Sequence, residues 1–467
     1  MTKGVDGLSV SEIEKSMGIE VYATRSAGIG GVIRQNVEDF AVEEVLVDGS
    51  KAQIEPSTNT GKTLGSSEIQ RHFLLCVLVK RNWDTFSAVK AVADDLGISM
   101  GRIQIGGIKD ARAVTAQYVT VENALVEDVQ GFKTRGLELR PVGYFHSQFS
   151  SYYLFGNSFQ IIINSINHSK SVIKKRIDQT IQEIQSIGGV PNFFGHQRFG
   201  TTRPITHLVG KTIVKGDLEK AAMLFLAEPS PNEHSKSREA RTELKESQDF
   251  KQALQNFPKH LRYERLMLRH LTEKPTDYVG AFRRLPVKLQ KLFVNAHQSY
   301  LFNRFLSGRM KFGLSLNKAE IGDYVVGVER SGLSMIAVHK MVTAETAADI
   351  NRAIAAGKMR LALPIMGSCQ SSSEGAQGDI EKQILETEEV TTKGFRIRTM
   401  PEIASKGSLR VTLTSPIDFL VKNMSSSVSA KPSRNRVKVS FTLQRGSYAT
   451  VILREIMKPN DLIEAGF

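Results

Sequence analysis

Cysteine is nearly missing from this 467-residue chain: Cys76 and Cys369 are the only two, far apart and without a CxxC. That excludes a disulfide framework and a Cys-rich zinc site, and it suits a reducing compartment. Long hydrophobic runs are missing too. None is longer than residues 73–79, far short of the roughly 20 residues that a membrane helix needs. Residues 1–10 lack the basic-then-apolar pattern of a secretory signal. The expectation is a soluble, cytoplasmic protein. No repeat of fixed period occurs, and no acidic or His cluster has a defensible metal-ligand spacing. Negative charge is the other shortage. Asp and Glu number 48 against 62 Lys and Arg, a formal charge of +14 and a pI near 9.6. An enzyme of small neutral metabolites has no need of that excess; a polyanionic partner such as nucleic acid does.

What is present is otherwise ordinary for a globular protein. Hydrophobic residues make up 41% and charged residues 24%, and the length suggests two to three domains with real cores. Apolar residues alternate from Phe40 to Val42 as in a strand, and 73–79 reads as a buried strand. Residues 47–68 read as a loop without period. Asp84 caps a helix whose Ala88, Val89, Val92 and Leu96 recur at helical spacing and which Gly97 stops. A strand over 160–163 leads to a helix carrying Val172, Ile173, Ile177, Ile181, Ile184 and Ile187, closed by Gly188-Gly189. Residues 229–249 are highly polar, a loose loop or a surface helix. Residues 367–378, rich in Ser, Gly and Gln, read as a surface loop. Val437, Val439, Phe441 and Leu443 alternate as a strand, and a helix follows over 448–456. Strand and helix alternate with antiparallel pieces, an α+β pattern.

One segment concentrates the positive charge. Residues 259–311 hold twelve Lys or Arg against three Asp or Glu. Within it Leu289, Phe293, Ala296, Tyr300 and Leu301 mark a helical stripe. A solvated helical face is the plain reading; a phosphate-binding surface is the other, and the clustering favours it.

The chemistry centres on Gly106-Gly107-Ile108-Lys109-Asp110-Ala111-Arg112-Ala113-Val114-Thr115-Ala116-Gln117. Alternating residues 102–105 and β-branched 118–121 make it a loop between two strands, with the paired glycines permitting a sharp turn. Lys109 and Arg112 flank Asp110 and favour an anion between them. The stretch is not a phosphate loop: Gly107 stands where the lysine belongs, and Asp110 where Ser or Thr would bind magnesium. Gly61-Lys62-Thr63 fails as well, since Pro56 occupies the first glycine's place.

These motifs together resemble the TruD-type tRNA pseudouridine synthases. Gly107 through Gln117 is similar to that family's catalytic string, with Asp110 in the nucleophile's place. Asp39-Phe40-x-Val42-x-Glu44 resembles its N-terminal signature, and Gly156-Asn157-x-Phe159 its base-binding motif. Asn192-Phe193-Phe194-Gly195-x-Gln197-Arg198-Phe199-Gly200, Ser299-Tyr300-Leu301-Phe302-Asn303 and Gly446-Ser447-Tyr448-Ala449-Thr450 resemble three more, in the family's order. Two departures stand out. Leu409-Arg410 replaces an Arg pair, and Gln444-Arg445 stands where a Pro usually precedes the Gly-Ser-Tyr motif.

The resemblance implies an α+β pseudouridine synthase core interrupted by a TruD-type insertion domain. The implied division is 1–200 for the first part of the core, 201–405 for a basic, RNA-facing insertion, and 406–467 for the rest of the core. It implies a tRNA partner, often its D-arm, and a monomer that needs neither metal nor cofactor. Asp110 would be the nucleophile, with Phe159, Asn157, Glu44, Lys109, Gln117 and Arg410 toward the substrate. Arg198, Arg283, Arg284 and Lys288 would contact RNA. Phe159 would stack on an uracil taken out of its helix, and Arg410 or Lys109 would face Asp110. One rival is a non-catalytic RNA-binding protein or tRNA chaperone. Another is a hydrolase or nuclease gathering Asp39, Glu43, Glu44 and Asp110 around magnesium.

Overall fold

The structure, a computed structural model, describes residues 9–56, 72–200, 202–426 and 434–467. The loop expected over 47–68 lies in part outside these. The chain divides into two compact units. One comprises Ser26–Gly189, Thr414–Pro459 and Glu464–Phe467; the other comprises Met1–Arg25, Val190–Leu413 and Asn460–Ile463.

The first unit is built on an eight-stranded sheet. Its strands are β1 (Phe40–Leu46), β2 (Phe73–Arg81), β3 (Ile103–Ile105), β4 (Val114–Glu122), β5 (Leu137–Phe145), β6 (Leu154–Ile166), β7 (Ile417–Ser426) and β8 (Asn435–Gln444). Their order is β7-β8-β6-β1-β4-β2-β5, with β3 beside β4. Only β1 and β4 run parallel; the other pairs are antiparallel. The apolar run of β2 follows from its central place. Leu74, Cys76 and Leu78 pack with Ala88, Val89 and Val92 of the helix Thr85–Asp95 on one face. Leu75, Val77 and Val79 pack with Ala116, Phe145 and Phe149 on the other. A strand covered on both faces has no reason to alternate. The long helix Lys170–Ile187 buries Ile173, Ile177 and Ile184 and ends at Gly188 in the left-handed region, as its sequence predicts; Val172 is exposed instead.

β1 and β3 share one edge of β4. β1 pairs with residues 114–116 and β3 with residues 119–121. The segment 106–113 joins β3 to β4 beside the place where this edge changes partner. That topology sets the candidate catalytic loop against the sheet.

The second unit combines helices with a four-stranded antiparallel sheet, ordered Ser408–Val411, Met359–Ile365, Tyr324–Val328, Ser334–Met341. Its longest helix, Val287–Lys311, is buried on most sides. The polar 229–249 stretch contains the helix Ser235–Ser247. The 367–378 segment departs from the loop expected of it, because the helix Gly375–Glu388 begins inside it. Ser373 is buried, and both its N–H and its hydroxyl donate to Glu381, at 2.8 and 2.9 Å. Small polar residues serve here as a helix start. Among the described residues, no helix is long and apolar enough to cross a membrane.

Candidate active site

Strand register aligns the polar residues of the first unit on one sheet face. Lys80 of β2 faces Thr115 of β4, Thr115 faces Val42 of β1, Val42 faces Phe159 of β6, and Phe159 faces Phe441 of β8. One step along, Leu78 faces Gln117 and Glu44 faces Asn157. Cross-strand partners share a face, so Lys80, Thr115, Gln117, Glu44, Asn157 and Phe159 lie on the face covered at one end by the helix Thr85–Asp95. Gly156, next to Asn157, has no room for a side chain: a Cβ there would lie 1.8 Å from the Leu443 carbonyl oxygen.

The loop carrying Asp110 is fastened to this face at several points. The Thr85 hydroxyl accepts from the Lys109 N–H at 3.0 Å and donates to the Lys109 carbonyl at 3.2 Å. Gln117 donates from Nε2 to the Gly107 carbonyl at 3.2 Å. Lys80, fully buried, donates from Nζ to the carbonyls of Asp110 at 2.5 Å and Trp83 at 2.8 Å. The glycines act otherwise than the sequence suggested. Neither Gly106 nor Gly107 enters the left-handed region. Gly106 is needed for space, since a Cβ would come within 2.8 Å of Leu154 and Phe149.

Asp110 is left with its side chain 36% exposed and a single cation at its carboxylate among the described ion pairs. That cation is Arg34, whose Nη2 lies 3.4 Å from Oδ2 and whose side chain is only 9% exposed. Arg34 adopts φ 56°, a strained position for a side-chain-bearing residue. Its guanidinium sits 4.1 Å over the Phe40 ring and donates to the Gly466 carbonyl at 3.3 Å. Burial lowers the Arg34 pKa, and Asp110 pulls it back up. Burial likewise brings Lys80 down to about 8. Lys109 turns away from Asp110 and its ammonium pairs with Glu44. The fully buried Glu44 also accepts from the Tyr118 N–H at 2.8 Å, where β1 has parted from β4. Burial pushes the Glu44 carboxyl up, opposed by Lys109 and Tyr118.

Phe159 is 6% exposed, packed between Phe40 and Phe441 at ring-centroid distances of 6.2 and 5.5 Å. Thr115 Oγ1, Gln117 Oε1 and Asn157 Oδ1 are buried without a hydrogen-bond partner among the described residues. The four acids of the nuclease alternative are dispersed in use. Asp39 accepts from Asn36 and Asn164, Glu43 from the Ile54 N–H, and Glu44 from Lys109. No group of three possible metal ligands is found among the described residues.

The motifs at 192–200 and 299–303, and Arg410, lie in the second unit, whereas the motif at 446–450 lies in the first. Arg410 donates to the Asn192 carbonyl at 2.9 Å and to its Oδ1 at 2.7 Å, and stacks 4.0 Å over Phe194. Arg198 lies 5.4 Å over the same ring. Phe193, Phe194 and Phe199 are core. Asn303 clamps the Phe194 backbone, accepting from its N–H and donating to its carbonyl. Arg283 is exposed and pairs with Glu402 at 2.8 Å; the exposed Arg284 donates to His270 at 3.2 Å, and Lys288 is exposed.

Arg34 and Lys80 were missed by the sequence reading. Lys80 did leave a signal, a cation ending an otherwise apolar strand. Arg34 left none in spacing, because only the fold brings it to Asp110.

A half-exposed carboxylate on a pinned loop, backed by buried cations on a sheet face, is an arrangement suited to covalent or proton-transfer chemistry. The comparisons give its class. The family model for tRNA pseudouridine synthase D (TruD) matches residues 16–456. A Methanosarcina barkeri relative described as a tRNA pseudouridine synthase D is 38% identical over 97% of this chain and 99% of its own. One from Thermococcus sibiricus, described likewise, is 34% identical over 94% of this chain and 97% of its own. A crystal structure of a Methanosarcina mazei protein described as TruD superposes with a TM-score of 0.78 at 36% identity, covering 97% of this chain and 99% of that one. The chain belongs to the TruD family, and its enzyme class is isomerase.

Proposed function

We propose that the protein converts a specific uridine of tRNA, in the D-arm, to pseudouridine with Asp110 as nucleophile. The observation that carries this reading is the setting of Asp110: a half-exposed carboxylate on a loop held by Thr85, Gln117 and Lys80, with the Arg34 guanidinium beside it. The target nucleotide leaves its stack and enters over the polar sheet face. Asp110 adds to the nucleotide at C6 of the base or C1′ of the ribose, and the N1–C1′ bond breaks. The uracil turns, C5 bonds to C1′, the bond to Asp110 breaks, the C5 proton passes to a base, and N1 takes up a proton. No atom is gained or lost. Asn157 and Gln117 supply buried acceptors that suit the uracil N3–H, and Phe159 offers the margin of its ring to the base. Arg198, Arg284 and Lys288 would hold tRNA phosphates.

The test is Asp110→Asn, which keeps size and hydrogen bonding but removes the anion. Pseudouridine, read as carbodiimide-resistant product, is expected to fall to background while tRNA binding persists. Near wild-type turnover by this variant would sink the assignment of Asp110. A wild-type protein that binds tRNA and yields no pseudouridine would favour the chaperone reading.

A further inference from the structure

Tyr152 is the most exposed large apolar side chain described in either unit, at 76%, yet it is not loose. It stands edge-on against Tyr153, ring centroids 5.6 Å apart. Tyr153 is stacked on Phe149 at 5.9 Å and meets Phe145 edge-on at 4.9 Å. Its hydroxyl is tied to Ser147 and His146, at 2.8 and 3.1 Å. One side of the Tyr152 ring is therefore braced by an aromatic cluster while the rest faces solvent. Arg445 completes the arrangement. Its Nη1 donates to the carbonyls of Ser151 and Tyr152, the latter at 3.2 Å, so an exposed cation is pinned beside the exposed ring.

The pair lies next to the candidate active site. Leu154, two residues beyond Tyr152, packs against Gly106 of the catalytic loop. Asn157 follows on the same strand. On the neighbouring strand, Arg445 lies two residues past Leu443, the register partner of Asn157, and its N–H donates to the Phe155 carbonyl at 2.9 Å.

We propose that Tyr152 and Arg445 form a second RNA-binding platform, on which an unpaired base near the target uridine stacks while Arg445 contacts its phosphate. The ligand chemistry follows from the residues. A rigid exposed aromatic takes the π-face of any base, and a guanidinium takes a phosphate through the donors that the two carbonyls do not engage. A chain of net charge +14 draws the polyanion to it. Extruding the target leaves its neighbours partly unstacked, and the platform restores one stack. This inference rests on the proposed function, since it takes the RNA to be the substrate.

The experiment uses the full-length protein and tRNA carrying 2-aminopurine beside the modified uridine, comparing Tyr152→Ala, Tyr152→Phe and Arg445→Ala. Tyr152→Ala is expected to raise the tRNA Kd roughly five- to 150-fold, the range that losing one base–aromatic stack implies. It should also abolish 2-aminopurine quenching, with Kd affected more than kcat. Tyr152→Phe should restore both, and Arg445→Ala should raise Kd and flatten its salt dependence. Wild-type Kd and quenching in Tyr152→Ala would overturn the platform, as would a Tyr152→Phe variant as weak as Tyr152→Ala. If pseudouridine forms normally in that case, the proposed function stands without the platform. If Tyr152→Ala loses binding but the wild-type protein forms no pseudouridine, the platform stands and the proposed function fails.

Discussion

Lys80 places an ammonium inside the protein where it holds the peptide of Asp110 itself. A buried charge costs several kcal/mol of desolvation unless it is well paired, and two carbonyls and a neighbouring carboxylate are modest pairing. The position makes sense if fixing the loop matters more than stability. Lys80→Met keeps length and removes both donors. Turnover should fall sharply while tRNA affinity changes little, which single-turnover rates and Kd measured on the same preparation will show. The pH dependence adds a second signature. The Lys80 pKa is lowered from 10.5 to about 8, so between those values the unfolded chain binds more protons and stability rises with pH. Below pH 8 both states are protonated and the burial cost is fully present. The stability of wild type relative to Lys80→Met should thus be flat below about pH 8 and climb from there toward 10.5. A flat difference throughout would mean that burial does not lower the Lys80 pKa.

At the scale of elements, regular segments were legible and their partners were not. The Asp84-capped helix, the β2 run and the strand over 435–444 appear where period and capping placed them, because local backbone chemistry fixes those features. The helix Val287–Lys311 shows where period falls short. A stripe at Phe293, Ala296 and Leu301 is buried as expected, but so are Gln290, His297, Gln298, Asn303 and Arg309. These polar residues bond to groups distant in sequence, which no period reveals: Asn303 to Phe194, and Arg309 to Asp323 at 2.8 Å. Asp110 is a candidate from its motif alone, while the guanidinium beside it was not legible, since no periodicity links Arg34 to it. The same helix carries a titratable device. His297 is stacked parallel with Tyr300 and Phe395, and Tyr300 with His207. Burial lowers His297 to about 3 and His207 to about 4, reinforced by Lys211 and, at His297, Lys215. Both are neutral when folded and protonated when unfolded below about pH 6.5. Their contribution is intact above that value and is lost as pH falls toward the folded pKa values. Each contributes a slope of about 1.4 kcal/mol per pH unit at most. His297→Phe should keep the stacking and flatten the loss of stability between pH 6.5 and 4, measured by denaturant unfolding across pH. An unchanged acid slope would rule out His297 as its source.

At the scale of the molecule, the question is where the +14 charge acts. The 259–311 segment holds much of it in sequence, but the fold spends part of it internally. Arg304 pairs with Glu20 and Glu388, Arg309 with Asp323, Lys311 with Glu20, and Arg283 with Glu402. These four of the twelve cations find acids outside the segment, so counting charges along the chain overstates the surface field. Hydrogen bonding to Glu402 raises the Arg283 pKa, but the pair is exposed and salt will screen it. The expected outcome is graded accordingly. Arg283→Glu alone should alter tRNA affinity little and leave its salt slope as in wild type. Reversing Arg283, Arg284 and Lys288 together should weaken binding and lower the magnitude of the slope by roughly two, at about 0.9 per duplex phosphate no longer neutralised. On the proposed reading, in which these residues meet phosphates and not the reacting base, the rate at saturating tRNA should change far less than Kd. The readout is Kd from low to high salt for the three proteins in parallel. A triple variant with the wild-type slope would make this face ordinary solvated surface, and the excess charge would have to meet the RNA elsewhere.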